Sequence, residues 1–260
     1  MKTIVIPDTH QRVDNIKKLL ESEKDYDEVV FLGDYFDSFF EPPKVASFED
    51  TCEYLKYLVT EHPNKDKFVF LLGNHDIQYI FLNNKSSHSS VTTPLNYFCS
   101  GFSKNKASTF RKVFFDKGFK DEFFIKNFKL VHQTQGWTLS HAGVHPSHIP
   151  HTKDLDFFVN VMAKEAWENF RNLSHQFNWV MSSAGVCRGG LDKVGGILWQ
   201  DWRYEFETGQ LTGKQIVGHT TVPEPSCLGK GTDVECWNID TEKHYGNILD
   251  KSFYVQGINL

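Results

Sequence analysis

Phe68-Val69-Phe70-Leu71-Leu72-Gly73-Asn74-His75-Asp76 is the stretch on which the reading of this chain turns. Its first five residues are a short apolar run that predicts a buried strand, and the run stops at a glycine followed by an amide, an imidazole and a carboxylate. α/β proteins place their chemistry at such strand ends, although a polar cluster after a strand also suits an ordinary turn. Repetition separates the two readings, because an apolar strand followed by metal-ligand-type residues recurs four more times.

Upstream, residues 3–6 are β-branched and apolar, Pro7 ends the run, and Asp8-Thr9-His10 follows. Asp8 and His10 flank one position, so in an extended loop a carboxylate and an imidazole can chelate one ion; the alternative is that Asp8 caps a helix beginning near Val13. Val13, Ile16, Leu19 and Leu20 fall at helical spacing, and Glu28-Val29-Val30-Phe31-Leu32 is the next strand, ending in Gly33-Asp34-Tyr35-Phe36-Asp37. A second helix is expected over Phe48–Thr60, with Leu55, Leu58 and Val59 inward. Strand, helix, strand, helix, strand implies right-handed crossovers and a largely parallel sheet.

Downstream, residues 77–120 mix aromatics with a polar loop at 83–90 and read as a helical and loop insertion, either packed on the domain flank or covering a site. Residues 128–132, 133–136 and 137–140 carry a hairpin signature that delivers His141-Ala142-Gly143. His145, His148 and His151 are loop histidines, because Gly143, Pro146 and Pro150 forbid a regular helix there. Residues 154–172 show the strongest helical periodicity, which is packing rather than chemistry. Arg188 and Arg203 lie near glycine-rich turns, where guanidinium forks suit phosphate oxygens. Lys214-Gln215-Ile216-Val217 is a strand running into Gly218-His219-Thr220, and residues 234–239 form another that ends at Asp240. A phosphate loop, a GxSxG elbow and a Rossmann glycine triplet are all missing.

At 260 residues, with 40% hydrophobic and 23% charged residues, the chain is expected to be globular, one domain over residues 1–260. A net charge of −5 argues against generic affinity for nucleic acid or anionic membranes. Five cysteines with no CxxC pair indicate neither a disulfide framework nor a zinc knuckle. With no signal-type or membrane-spanning apolar run, the expected location is the cytoplasm.

The strand ends together supply Asp8, His10, Asp34, Asp37, Asn74, His75, His141 and His219, which the sheet's C-terminal edge is expected to gather. Carboxylates, an amide oxygen and imidazoles make mixed O/N spheres of the kind that hold two first-row divalent ions. In the order Asp8-x-His10, Gly33-Asp34-x-x-Asp37, Gly73-Asn74-His75-Asp76, His141-Ala142-Gly143 and Gly218-His219-Thr220, the chain resembles the calcineurin-like metallophosphoesterase superfamily. Ser140-His141-Ala142-Gly143 and Leu198-Trp199 bring it nearest the serine/threonine phosphoprotein phosphatase branch and its bacterial and phage relatives.

That resemblance implies a β-sandwich flanked by helices and a metal-dependent phosphoric ester hydrolase. It implies that Asp8 and His10 bind a first metal, that Asp34 bridges to a second completed by Asn74, His141 and His219, and that Mn²⁺, Fe or Zn²⁺ would serve. A metal-bridging hydroxide would attack the phosphorus, with His75 as general acid oriented by Asp37. The chain departs from the family in having Pro7 and Gln11 at usual glycine positions, and Ser38-Phe39 where phosphatases carry Arg-Gly. That arginine grips substrate phosphate, and Arg203, Arg188 and Arg12 are the candidates to replace it. The expected partner is a phosphorylated substrate, a phosphoprotein or small phosphoester. The alternatives are a nucleotide hydrolase that stacks a base on the aromatic insertion, and a catalytically inactive binding scaffold.

Overall fold

The computed structural model describes residues 1–40, 42–83, 99–168, 181, 183–206 and 211–258, and of residues 81–83 the backbone only. Two sheets face each other. The first has the order β11-β10-β1-β2-β3-β4 and the second β5-β6-β7-β9-β8. In the first sheet β1 (Lys2–Ile6), β2 (Glu28–Phe31) and β3 (Phe68–Leu71) are mutually parallel, joined through α1 (Val13–Ser22) and α2 (Phe48–Thr60). This is the strand–helix alternation expected from the sequence. Both faces of these strands are covered, which is why they read as continuous apolar runs rather than alternating ones. Along β1, Ile4 and Ile6 pack toward the helices while Val5 joins Val30, Leu71, Leu139 and Ile216 between the sheets.

The expected hairpin over 128–140 is corrected in one respect. Phe128 and Lys129 form β4, which pairs parallel with β3 in the first sheet. The chain then crosses over, and β5 (Val131–Thr134) and β6 (Trp137–Ser140) make the hairpin in the second sheet. Gln135 (φ 49°) and Gly136 (φ 82°) are its two turn residues, the left-handed pair that matches the twist of a tight hairpin. β7 (Gln215–Val217) pairs parallel with β6 and with β9 (Cys236–Asn238), which in turn pairs antiparallel with β8 (Ser226–Leu228). Beyond Asp240 the sequence reading names no strand; there β10 (His244–Leu249) pairs antiparallel with β1, and β11 (Ser252–Gly257) pairs antiparallel with β10 at the edge of the first sheet.

α3 (Asn74–Asn83) begins at the amide of the opening stretch, so Asn74, His75 and Asp76 form the first turn of a helix rather than a loop. With α4 (Lys104–Val113) and α5 (Asp121–Asn127) it builds the insertion. Tyr79, Phe110, Phe114 and Phe124 are buried, and Tyr79 and Phe110 pack with Phe36 at ring separations of 5.5–5.8 Å. These rings are core on the domain flank. The loop at 84–90, and Tyr97 and Phe98, lie outside the described residues. The segment expected as a helix over 154–172 is capped by Asp154, whose carboxylate accepts from the Phe157 backbone N–H, and runs as helix to Glu168 with a π-helical Phe158–Ala163; its remainder also lies outside the described residues. Among the described residues no helix is long and apolar enough to cross a membrane.

His148 sits in a 3₁₀ turn (Pro146–His148), buried and stacked on Phe158. Burial pushes its imidazole down to about 4, against an ordinary value near 6.5. The folded state therefore holds it neutral where the unfolded chain binds a proton, so stability falls as pH drops from about 6.5 toward 4, by up to roughly 3 kcal/mol. Urea unfolding across that window is expected to show a shallower pH slope in His148→Phe than in the parent.

Candidate metal centre

Five turns that follow strands β1, β2, β3, β6 and β7 meet at one point between the two sheets, and Asp34 is at its middle. The Asp34 backbone carbonyl accepts from His10 N (2.8 Å) and Thr9 N (3.2 Å), so the loop after β2 holds the loop after β1. Its carboxylate Oδ1 accepts from the His75 backbone N–H at 2.9 Å, tying in the start of α3. Asp8 in turn accepts from His219 N at 3.1 and 3.2 Å. Two glycines permit these approaches. A Cβ on Gly73 would lie 2.0 Å from Asp34 Oδ1, and one on Gly218 would lie 2.1 Å from Asp8 Oδ1. The alternative of Asp8 as a helix cap is excluded, since the cap position of α1 is Arg12 and makes no side-chain cap bond.

The side chains fall into two groups that share one member. Asp8, His10 and Asp34 offer ligand atoms within 4.8 Å of one another, and so do Asp34, His141 and His219. Asn74 adjoins the second group, with Oδ1 2.9 Å from His141 Nε2. His141 Nδ1 lies 3.0 Å from the Leu32 carbonyl and His10 Nδ1 lies 2.9 Å from the Phe36 carbonyl. A carbonyl only accepts, so both Nδ1 atoms carry the proton and both Nε2 lone pairs face the centre, the arrangement that orients a ligating imidazole. His141 Nε2 then faces the oxygens of Asn74 and Asp34 (3.5 Å) lone pair against lone pair, with His219 Nδ1 3.2 Å away. A divalent cation relieves that crowding, so the oxygen and imidazole donors present fit divalent metal binding, with Asp34 common to both groups.

The electrostatics agree. Burial lowers the pKa of His10, His141 and His219, keeping them neutral. Burial also pushes Asp34 up, but the imidazoles of His141, His75 and His10 outweigh it and the net shift is downward. Asp8 goes up, through burial and then the nearby Asp240 and Asp34. His75 stands beside this cluster, its Nδ1 3.3 Å from Asp37 Oδ2 and its ring 5.3 Å from that of His10. Burial lowers its affinity for a proton, yet Asp34 and the bond to Asp37 raise it further, leaving the pKa above its ordinary value.

Residues 1–223 match the family model for calcineurin-like phosphoesterases. The chain belongs to that family. It is a metal-dependent phosphoric ester hydrolase, and its two helix-flanked sheets are the family's fold. Among solved structures it is similar to a protein serine/threonine phosphatase from Saccharomyces cerevisiae, at 13% identity and a TM-score of 0.52, over 100% of this chain and 80% of that one. It is also similar to a metallophosphoesterase from Sphaerobacter thermophilus (11% identity, TM-score 0.43, covering 100% and 88%) and to the E. coli phosphoesterase Yfce (12%, 0.38, covering 100% of both chains). Comparison with curated protein sequences finds no match.

The arginines of this phosphoesterase are not equally placed. Arg188 Nη2 donates to Thr220 Oγ1 at 2.7 Å, beside His219, and its Nε contacts Asp201 at 2.7 Å, a pairing of charges without hydrogen-bond alignment. Arg203 is turned to the Thr221 carbonyl at 2.8 Å, and Arg12 to Glu242 at 2.6 Å. Sequence reasoning missed several contributors. Gln78 and Tyr79 donate to Asp37 at 2.9 and 2.6 Å, and their only signal was a spacing of one helical turn from His75. Asp76, which the sequence places in the motif with only a supporting role, has a buried carboxylate that accepts from the backbone N–H groups of Asp34, Tyr35 and Gly73, each at 2.8 Å. It sets the turn that carries Asp34. Asp76→Ala is expected to strand three buried donors and lower the unfolding free energy in urea by about 3 kcal/mol or more, at roughly 1–3 kcal/mol per unsatisfied group.

Proposed function

We propose that the protein is a dinuclear phosphomonoesterase in which Asp8 and His10 hold one divalent ion, Asn74, His141 and His219 hold the other, and Asp34 holds both. Manganese is the ion we assign, since the donors are oxygen and imidazole nitrogen with no thiolate. The observation that carries the reading is that Asp34 belongs to both ligand groups while His75, paired with Asp37, stands at their edge. Held there, two such ions would supply an acidified water for in-line attack and polarisation of the phosphoryl oxygens.

The chain's own residues do the rest. Of the site residues, His10, His75 and His219 keep partial exposure, while Asp8, Asp34 and His141 are covered, so the phosphoester reaches the centre over the three imidazoles. Asp37 accepts at His75 Nδ1 and turns Nε2 outward, where a protonated imidazole gives its proton to the departing oxygen. Arg188, next to Thr220 and His219, is the guanidinium we assign to the phosphate in place of the arginine that Ser38 displaces. The nucleotide reading relied on insertion aromatics as stacking surfaces, and Tyr79, Phe110 and Phe114 are committed to the core.

With added Mn²⁺, p-nitrophenyl phosphate or a phosphopeptide is expected to be hydrolysed well ahead of bis-p-nitrophenyl phosphate and dinucleoside tetraphosphate; the reverse order contradicts the monoesterase reading. His75→Asn is expected to keep its metal and lose roughly 10²–10⁴-fold in kcat on unactivated esters. Arg188→Lys is expected to raise KM about tenfold with kcat little changed, since the bidentate fork is lost.

A further inference from the structure

The segment 99–106 enters from the insertion and touches the centre at two separate points. Cys99 is buried against Asn74: Asn74 Nδ2 donates to Cys99 Sγ at 3.1 Å, and the thiol donates back to the Asn74 carbonyl at 3.2 Å. A thiol has one proton, and here it is spent on the carbonyl, so the sulfur can only accept from the side-chain amide. That fixes which way the amide points. With Nδ2 committed to sulfur, Oδ1 is the atom turned toward His141 Nε2, 2.9 Å away.

Lys106, in the first turn of α4, reaches the other point. Its Nζ donates to Asp37 Oδ1 at 3.0 Å and to the Gly101 carbonyl at 2.7 Å, and lies 5.7 Å above the Phe48 ring. Between the two contacts the backbone itself packs on Asp37. Gly101 has φ 88°, and a Cβ there would come within 3.0 Å of Asp37 Cβ, so the close passage belongs to glycine. Asp37 is fully enclosed and holds His75 with its second oxygen, while Gln78 and Tyr79 hold the carboxylate from α3. Lys106 adds the positive charge in that shell.

We propose that segment 99–106 is a positioning strap with two independent functions: Cys99 orients the amide of Asn74 toward the metal side, and Lys106 fixes the Asp37 carboxylate that aims His75. Neither residue touches substrate. The inference rests on the reading of Asn74 as a metal ligand and His75 as the general acid, and it deepens that reading by naming what holds each of them.

Two readouts separate the functions. Mn²⁺ binding to metal-free protein, followed by calorimetry, reports on Asn74. The ratio of kcat/KM for p-nitrophenyl phosphate to that for phenyl phosphate, which needs the acid more, reports on His75. Cys99→Val is expected to weaken Mn²⁺ binding by about 10–100-fold, as loss of a ligand's hydrogen-bond partner does, with Cys99→Ser restoring most of it and the substrate ratio unmoved. Lys106→Met is expected to raise the substrate ratio about tenfold or more, a fraction of what an acid supplies, with Lys106→Arg restoring it and Mn²⁺ binding unmoved. Variants that shift both readouts together, or neither, overturn the strap. Asn74→Ala and His75→Asn are the controls. If those two leave Mn²⁺ binding and the substrate ratio unchanged, the assignment of ligand and acid fails; if they respond and the strap variants do not, the strap alone fails.

Discussion

One buried carboxylate, Asp34, organises the centre. Its backbone carbonyl fastens the Asp8–His10 loop, one carboxylate oxygen fastens the start of α3, and the other lies 3.7 Å from His10 and 3.5 Å from His141. Burying an acid among other acids is costly unless positive charge or donors balance it. Here Asp8, Asp34 and Asp76 lie close enough to perturb one another, and backbone N–H groups supply part of the balance: those of Asp34, Tyr35 and Gly73 at Asp76, that of His75 at Asp34 and that of His219 at Asp8.

The same constraint appears in the backbone. His10, Asp34, Asp37 and His219 all have positive φ, between 40° and 66°, although none is glycine. Such residues cost on the order of 1–3 kcal/mol each and persist where the surroundings over-determine them. The surroundings are two sheets whose strand ends are packed face to face, with Val5, Val30, Leu71, Leu139 and Ile216 between them. The apolar core thus holds five turns in register, and the turns hold the candidate ligand groups at spacings that free loops would not keep.

Much of this was legible because each strand is short, apolar and ends abruptly, so β1, β2 and β3 and the polar residues after them stand out as punctuation. The eight candidate residues are readable for that reason, and the turns that carry them lie side by side in the fold. What escaped the sequence has a common physical cause. Asp76 acts on amides that lie about forty residues upstream as well as on its own turn, and nothing local to it shows a carboxylate spent on backbone donors. Cys99 and Lys106 reach the site across the insertion and belong to no strand end. In β10, Gly246 and Asn247 interrupt the apolar run, so a strand buried by its neighbours does not read as one. The hairpin was misread at Phe128 and Lys129 because a two-residue strand in one sheet runs almost directly into the next strand of the other.

The proposed centre requires that Asp34 be shared by two ions. Anomalous diffraction from crystals grown with Mn²⁺ measures this directly. Two peaks about 3.5–4 Å apart are expected, with the Asp34 carboxylate contacting both, His10 and Asp8 on one, and Asn74, His141 and His219 on the other. A single peak, or two peaks with Asp34 bound to only one of them, would contradict it.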